Sequence, residues 1–190
     1  TGLKSPTWLP LNYAADQAAV IIYALLPYYK IHPDDKIKTL LIRLTEGMMM
    51  MQAGSEDQFP FDAFLSWQNI WHAYGNAQSD ALLSVTAVLY DDAMESAALK
   101  EIGRFFPFLI EKQYLNRFSV RKEQDQWQID EAVQFEQIAY GIRPITFASI
   151  KAFQATKDSI FLRQAVEAAA WLFGKNAAGE RIYDPKTCLL

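Results

Sequence analysis

The sequence is poor in the residues that build metal and disulfide chemistry. Its 190 residues hold one cysteine, Cys188, and two histidines, His32 and His72. A single cysteine excludes an internal disulfide. It leaves the redox compartment and the localisation open, because a protein with a large core needs no disulfide. Two histidines and one cysteine are too few for a dedicated zinc site, so neither a metal nor a cofactor is expected. Basic charge is also short, with 18 Lys and Arg against 22 Asp and Glu and a net charge of −4. A nucleic-acid binder normally carries a basic face, and an anionic membrane surface attracts a basic patch. Neither partner is expected. The apolar stretches are broken by Asp, Gln, Lys or Tyr too often to span a bilayer, which points to a soluble protein. There is no Gly-rich phosphate loop, no serine nucleophile elbow and no His-x-x-x-His pair. No basic–apolar–small signal pattern opens the chain at Thr1, so a processed or engineered start is expected.

What is present is hydrophobic mass: 51% of residues are hydrophobic and 14% aromatic, enough for a sizeable core in one domain spanning 1–190. Leu11 to Lys30 is apolar almost all round, as a helix buried on every face would be. Pro33 and Asp34 mark a turn and a new helix start. In the next helix, to about Met51, Ile37, Leu40, Leu41, Leu44, Met48 and Met51 fall on one stripe. Gly54, Ser55, Glu56, Asp57 and Pro60 predict a loop over Ala53 to Phe61. A third helix is predicted from near Ser66 to Leu89, and a fourth from Asp91 to Tyr114 with a break at Pro107. Arg117 to Glu131 reads as a long loop, or as a short hairpin of Phe118–Val120 against Trp127–Ile129. The fifth helix is predicted over Ala132 to Thr156, kinked near Gly141 and Pro144. The sixth runs from Ser159 to Phe173, with Asp158 as N-cap and Gly174 as C-terminal cap. Buried and half-wetted helices alternate with a period of about 50 residues. The fold expectation is therefore all-α: about three antiparallel helical hairpins, each with an inner and an outer helix.

The stretch Phe161–Leu190 is similar to a recurring segment of six-hairpin (α/α) toroid, glycoside hydrolase-like proteins. There a helix ends in Trp–Leu/Phe–Gly–x–Asn, and a loop follows with Tyr–Asp–Pro–x–Thr–Gly. The matching residues are Trp171, Gly174, Asn176, Tyr183, Asp184, Pro185 and Thr187. The family pattern continues with Gly, Cys and then Asp–Gly, whereas this chain has Cys188, Leu189 and Leu190. Phe59–Leu83, containing WHAYGNAQSDALL, resembles a Trp–His–Ala–Trp/Tyr–Gly segment of the same toroids. Glu136–Gln137 and the Ala155-Thr156-Lys157-Asp158 turn fall where that family carries a polar cluster. The resemblance implies a partial toroid, a fragment of a larger one or an open arc, since six hairpins need far more chain. An open arc exposes apolar flanks, which implies the missing half or a second subunit as partner. It also implies a carbohydrate substrate or ligand.

Sugar hydrolysis needs two carboxyls across the scissile bond. Asp62, set among Phe59, Phe61, Phe64 and Trp67, is the first candidate: apolar company raises a carboxyl pKa and suits a general acid. A plain loop acid is the competing reading. Glu136 is the second; with Tyr140 at i+4 and Arg143 at i+7 it makes a polar helical face beside Gln137. Such a face is costly to bury unless its members pair or meet a ligand. A structural Glu136–Arg143 pair explains it equally well. Asp184 is the third, in the loop that the resemblance places at a cleft mouth with Asn176 and Tyr183; Asp–Pro is also a turn former. Trp67 and Trp71 share a helical face at i, i+4, as do Trp71 and Tyr74, and form either a sugar-stacking wall or core packing; His72 enters with them as a substrate-binding candidate whose competing reading is a hydrogen-bonded inner-helix histidine. Two functions remain open: a glycoside hydrolase-like enzyme using Asp62, Glu136 and Asp184, or a non-catalytic helical module binding a glycan or a partner protein on its concave face.

Overall fold

The computed structural model describes residues 15–66, 69–72, 76–112, 117–133, 141–176 and 178–187. Local signals place the helix ends. Helix α1 (Ala15–Ile31) is followed by α2 (Asp35–Met49), whose N-cap Asp34 accepts hydrogen bonds from the Lys36 and Ile37 amides at 2.8 and 3.2 Å. Helix α3 (Gln78–Leu89) ends at Tyr90, which takes up the left-handed conformation at φ 57°. Asp91 then caps α4 (Asp92–Lys100) by accepting from the Met94 amide. The same helical run widens into a π-turn (Glu101–Phe105) and continues as α5 (Phe106–Lys112). Helix α6 (Ile142–Thr156) turns through Lys157 into α7 (Ser159–Ala169), capped by Asp158, and a 3-10 turn (Ala170–Leu172) leads to Gly174 at φ +101°. Each of α1, α3 and α6 packs on its successor in this series (α2, α4 and α7), and α3 lies between α1 and α6.

The chain is not an all-α toroid portion. Two small antiparallel sheets interrupt the helices, and the fold is mixed α and β. Strands β1 (Gln52–Ser55) and β2 (Gln58–Phe64) pair where a loop was expected, with Gln52 opposite Phe64 and Ala53 opposite Ala63. Gly54, at φ +81°, lets the hairpin close: a Cβ there would stand 2.5 Å from the Gln58 carbonyl oxygen. The Gln52 side chain ties the hairpin to α4 by donating to the Asp62 and Ala97 carbonyls. The predicted third helix loses its first turns to β3 (Ile70–His72), which joins β4 (Arg117–Glu123) and β5 (Gln126–Val133) in a three-stranded sheet. The hairpin reading of 117–131 describes β4 and β5, with Val120 opposite Ile129. The predicted start of the fifth helix at Ala132 is the end of β5.

Aromatic side chains join the sheets to the helices. Trp71 of β3 stacks on Phe118 of β4 at 5.4 Å and meets the edge of Phe105 in the π-turn at 5.5 Å. Phe59 of β2 meets Phe108 of α5 at 5.5 Å. Such pairs add about 0.5–1.5 kcal/mol each beyond area burial. Helix α3 is buried almost all round, from Gln78 to Thr86. Helix α1 is not: it buries Ala15, Ala19, Ile22 and Leu26 but leaves Val20 60% and Ile31 72% exposed. The expectation of α1 as a fully buried helix is corrected, because α2 and α3 cover only one side of it. Among the described residues no helix is long and apolar enough to cross a membrane.

Candidate functional site

Three helices bring charged and hydrogen-bonding groups to the start of α3. Asp80 lies in the first turn of α3, 6% exposed. The phenol of Tyr23, from α1, donates a short hydrogen bond to Asp80 Oδ2. Lys151 of α6 places its Nζ 2.8 Å from Asp80 Oδ1 and 2.6 Å from the Ser84 hydroxyl. The contact with Oδ1 is electrostatic, lying off the direction of a hydrogen bond. Burial, the bond to Asp80 and the Asp80 charge push the Tyr23 phenol well up from its ordinary value, with Arg143 opposing them. The phenol therefore stays protonated and serves as a donor.

Tyr23 and Asp80 belong to the wall of a cavity of about 360 Å³, lined by Tyr23, Asn76, Ala77, Asp80, Arg143, Pro144 and Phe147. Neither helix that opens here carries a side-chain N-cap bond: Ala77 precedes α3 and Gly141 precedes α6. Asn76 is 4% exposed, and its Oδ1 has no hydrogen-bond partner among the described residues. A buried carboxamide oxygen left bare costs about 1–3 kcal/mol. Phe147 and Tyr23, 54% and 42% exposed, present aromatic surface at the rim. A larger hollow of about 620 Å³ lies beside Glu56, Glu95, Lys100 and Arg104, but it is an open trough with solvated charges.

Behind Asn76 lies Glu101, the first residue of the π-turn and fully buried. It accepts from the Phe64 amide at 2.9 Å, the Ser79 hydroxyl at 2.5 Å and the Asn76 amide at 3.4 Å. Burial pushes its pKa up to about 7, and the three donors act in the opposite direction.

The residues proposed from sequence are spread over several places. Arg143 lines the cavity. Asp62, in β2, is not among the lining residues; it pairs with Arg104 at 2.5 Å, which also meets Glu56 at 2.9 Å. Its setting is thus a guanidinium rather than an apolar pocket. Asp184 is exposed and makes a local turn, accepting from the Lys186 amide at 2.9 Å and the Thr187 hydroxyl at 3.1 Å. Asn176 braces the loop after α7, donating to the Trp171 and Glu180 carbonyls at 2.9 and 2.7 Å. Tyr183 packs edge-on against Phe173 at 5.5 Å. Trp71 is 1% exposed and on a strand, so the helical face it was to share with Trp67 does not form. Trp67, Tyr74, Glu136, Gln137, Tyr140 and the side chain of His72 lie outside the described residues, and with them the Glu136 cluster.

Tyr23, Asn76, Asp80, Glu101 and Lys151 were not selected from sequence. Asp80 carried a usable signal: it is an acid within the helix whose other positions run Ala81, Leu82, Leu83 and Val85. A charge on a helix buried all round needs a partner. Comparison with known proteins does not add to the geometry: no protein-family model matches the chain, and no curated protein matches it.

Proposed function

We propose that this protein is a non-catalytic binding module that takes a sugar ring in the cavity between α1, α3 and α6. The observation that carries the reading is the gathering of Tyr23, Asn76, Asp80 and Arg143 with Phe147 around one cavity. Sugar hydroxyls both donate and accept, which suits a wall of carboxamide, carboxylate, phenol and guanidinium. Sugar C–H faces pack on aromatic rings such as Phe147 and Tyr23 at the rim. The cavity volume lies in the range of small-molecule sites.

A hydrolase reading has less support. Glycoside hydrolysis uses two carboxyls facing each other, and Asp80 is the one carboxyl lining the cavity among the described residues. It is already engaged by Tyr23 and Lys151.

The test is a panel of neutral monosaccharides and methyl glycosides, screened by saturation-transfer NMR and quantified by calorimetry. We expect at least one to bind, binding to vanish in Asn76→Leu, and affinity to fall about tenfold in Phe147→Ala, the scale of one lost contact of 1–2 kcal/mol. Silence across the panel, or binding indifferent to both substitutions, would end the reading.

A further inference from the structure

We propose that the uncovered face of α1 is a dimerisation surface, on which α1 of a second copy of this chain packs antiparallel. The proposal makes no use of the cavity and stands apart from the sugar-binding reading.

Helix α1 buries Ala15, Ala19, Ile22 and Leu26 against the rest of the molecule. Its opposite side is just as apolar. At 100° per residue, Val20, Ile21, Ala24, Pro27, Tyr28 and Ile31 fall within an arc of about 120°, and all six are exposed. Val20, Tyr28 and Ile31 each keep more than half of their surface in solvent. Taking about 150–250 Å² for a fully exposed large side chain, the face presents roughly 500 Å² of apolar surface per protomer. A contiguous apolar patch of that size marks an interaction site. Two copies closing on it would bury about 1,000 Å², the area at which specific interfaces begin.

The spacing on this face selects a helix as its occupant. Val20, Ala24, Pro27 and Ile31 recur at intervals of four, three and four, the seam that one helix presents to another. The seam is also complementary to itself. A two-fold axis between Ala24 and Pro27 sets Val20 of one copy against Ile31 of the other, and Ala24 against Pro27. The bulky side chains then meet at both ends, and the short ones in the middle let the backbones approach. Charge agrees with the antiparallel sense. Lys30 in the last turn comes toward Asp16 in the first turn of the other copy, and the helix dipoles run opposed. A parallel pair would set Lys30 beside Lys30. A lipid surface is the poorer match, because interfacial helices are rich in Lys and Arg, whereas α1 has one Lys and no Arg.

Sedimentation velocity of the whole chain at about 100 µM is the first test, since weak interfaces have micromolar Kd values. We expect a species of twice the 21.7 kDa protomer mass. Val20→Glu and Ile31→Glu should each weaken the dimer at least about a hundredfold, because each places two carboxylates in the seam. Both positions face solvent in the protomer, so the Tm of the dilute monomer should stay at its wild-type value. Cross-linking reads the register. In a Cys188→Ser background, Val20→Cys combined with Ile31→Cys should give a disulfide-linked dimer on mild oxidation, and either substitution alone should not. A wild-type chain that stays monomeric overturns the proposal, and so does a dimer that tolerates both glutamates. Linkage through Val20→Cys alone overturns the antiparallel pairing. A monomer whose Tm falls in both glutamate variants has this face covered from within its own chain, which also overturns the proposal. Should the glutamate variants fail to fold, the cross-linking set decides.

Discussion

Glu101 is a carboxyl whose surroundings favour its neutral form. Three hydrogen-bond donors meet it, yet full burial outweighs them and raises its pKa from 4.5 to about 7. The consequence for stability has a definite sign. Below pH 4.5 the group is neutral in both folded and unfolded chains and costs nothing. As pH rises from 4.5 to about 7 the unfolded chain releases its proton while the folded chain retains it, and stability falls. Above that window the loss is complete, at about 3 kcal/mol for a shift of this size. Urea denaturation across the window should show this decline in wild type, superimposed on other titrations. Glu101→Gln should lack it and be the more stable of the two at about pH 8. A variant whose stability follows pH as steeply as wild type would contradict the assignment of the decline to Glu101.

At the scale of elements, two glycines show how backbone setting decides the effect of one substitution. Gly54 sits in the β1–β2 hairpin at φ +81°, where a Cβ would stand within 3 Å of three backbone atoms, of Gln58, Pro60 and Phe61. Backbone atoms cannot swing aside as a flexible side chain can. Gly54→Ala should therefore cost well over 1 kcal/mol, more than the ordinary Gly-to-Ala scale. Gly47 lies inside α2 with nothing within 4 Å of its added Cβ. Gly47→Ala should raise stability by about 0.5–1 kcal/mol through helix propensity. Thermal denaturation of the two variants side by side checks both directions. The element most altered from expectation is the third helix. Asn69 is left-handed at φ 55°, and the following residues pair with β4 instead of coiling. A helix over 66–77 would have left the Ile70 and Trp71 edge of β4 without its partner.

For the molecule as a whole, the sugar-binding reading separates the acids near the cavity from those remote from it. Asp62 serves the hairpin through Arg104, and Asp184 serves the C-terminal loop through Lys186 and Thr187. Asp62→Asn and Asp184→Ala should each leave methyl glycoside affinity within about twofold of wild type, or under ~0.5 kcal/mol. Calorimetric titration measures this directly, and a loss comparable to that of Asn76→Leu would return these acids to consideration as site residues. The residues Trp171–Thr187, which suggested the toroid reading from sequence, have local structural roles here. Asn176 closes the loop through four hydrogen bonds, and Gly174 supplies the φ of +101° that follows the 3-10 turn.

The sequence by itself determined what near neighbours can enforce. Asp34 and Asp158 cap helices within a few residues of themselves, Gly174 takes a positive φ just past the 3-10 turn after α7, and the stripe of Leu41 and Met48 sets which side of α2 is buried. Over 117–131 the sequence left a long loop and a short hairpin both open, and the structure forms the hairpin. Tertiary structure decided whether Ile70 and Trp71 would coil or extend, because their hydrogen-bond partners lie far along the chain at Ser119 and Phe118. It also decided which face of the uniformly apolar α1 would be covered, since an even distribution of apolar residues gives no preferred side. The candidate site belongs to this second kind. Tyr23, Asn76, Asp80 and Lys151 are ordinary residues in their own segments, and their chemistry arises from three helices placing them together.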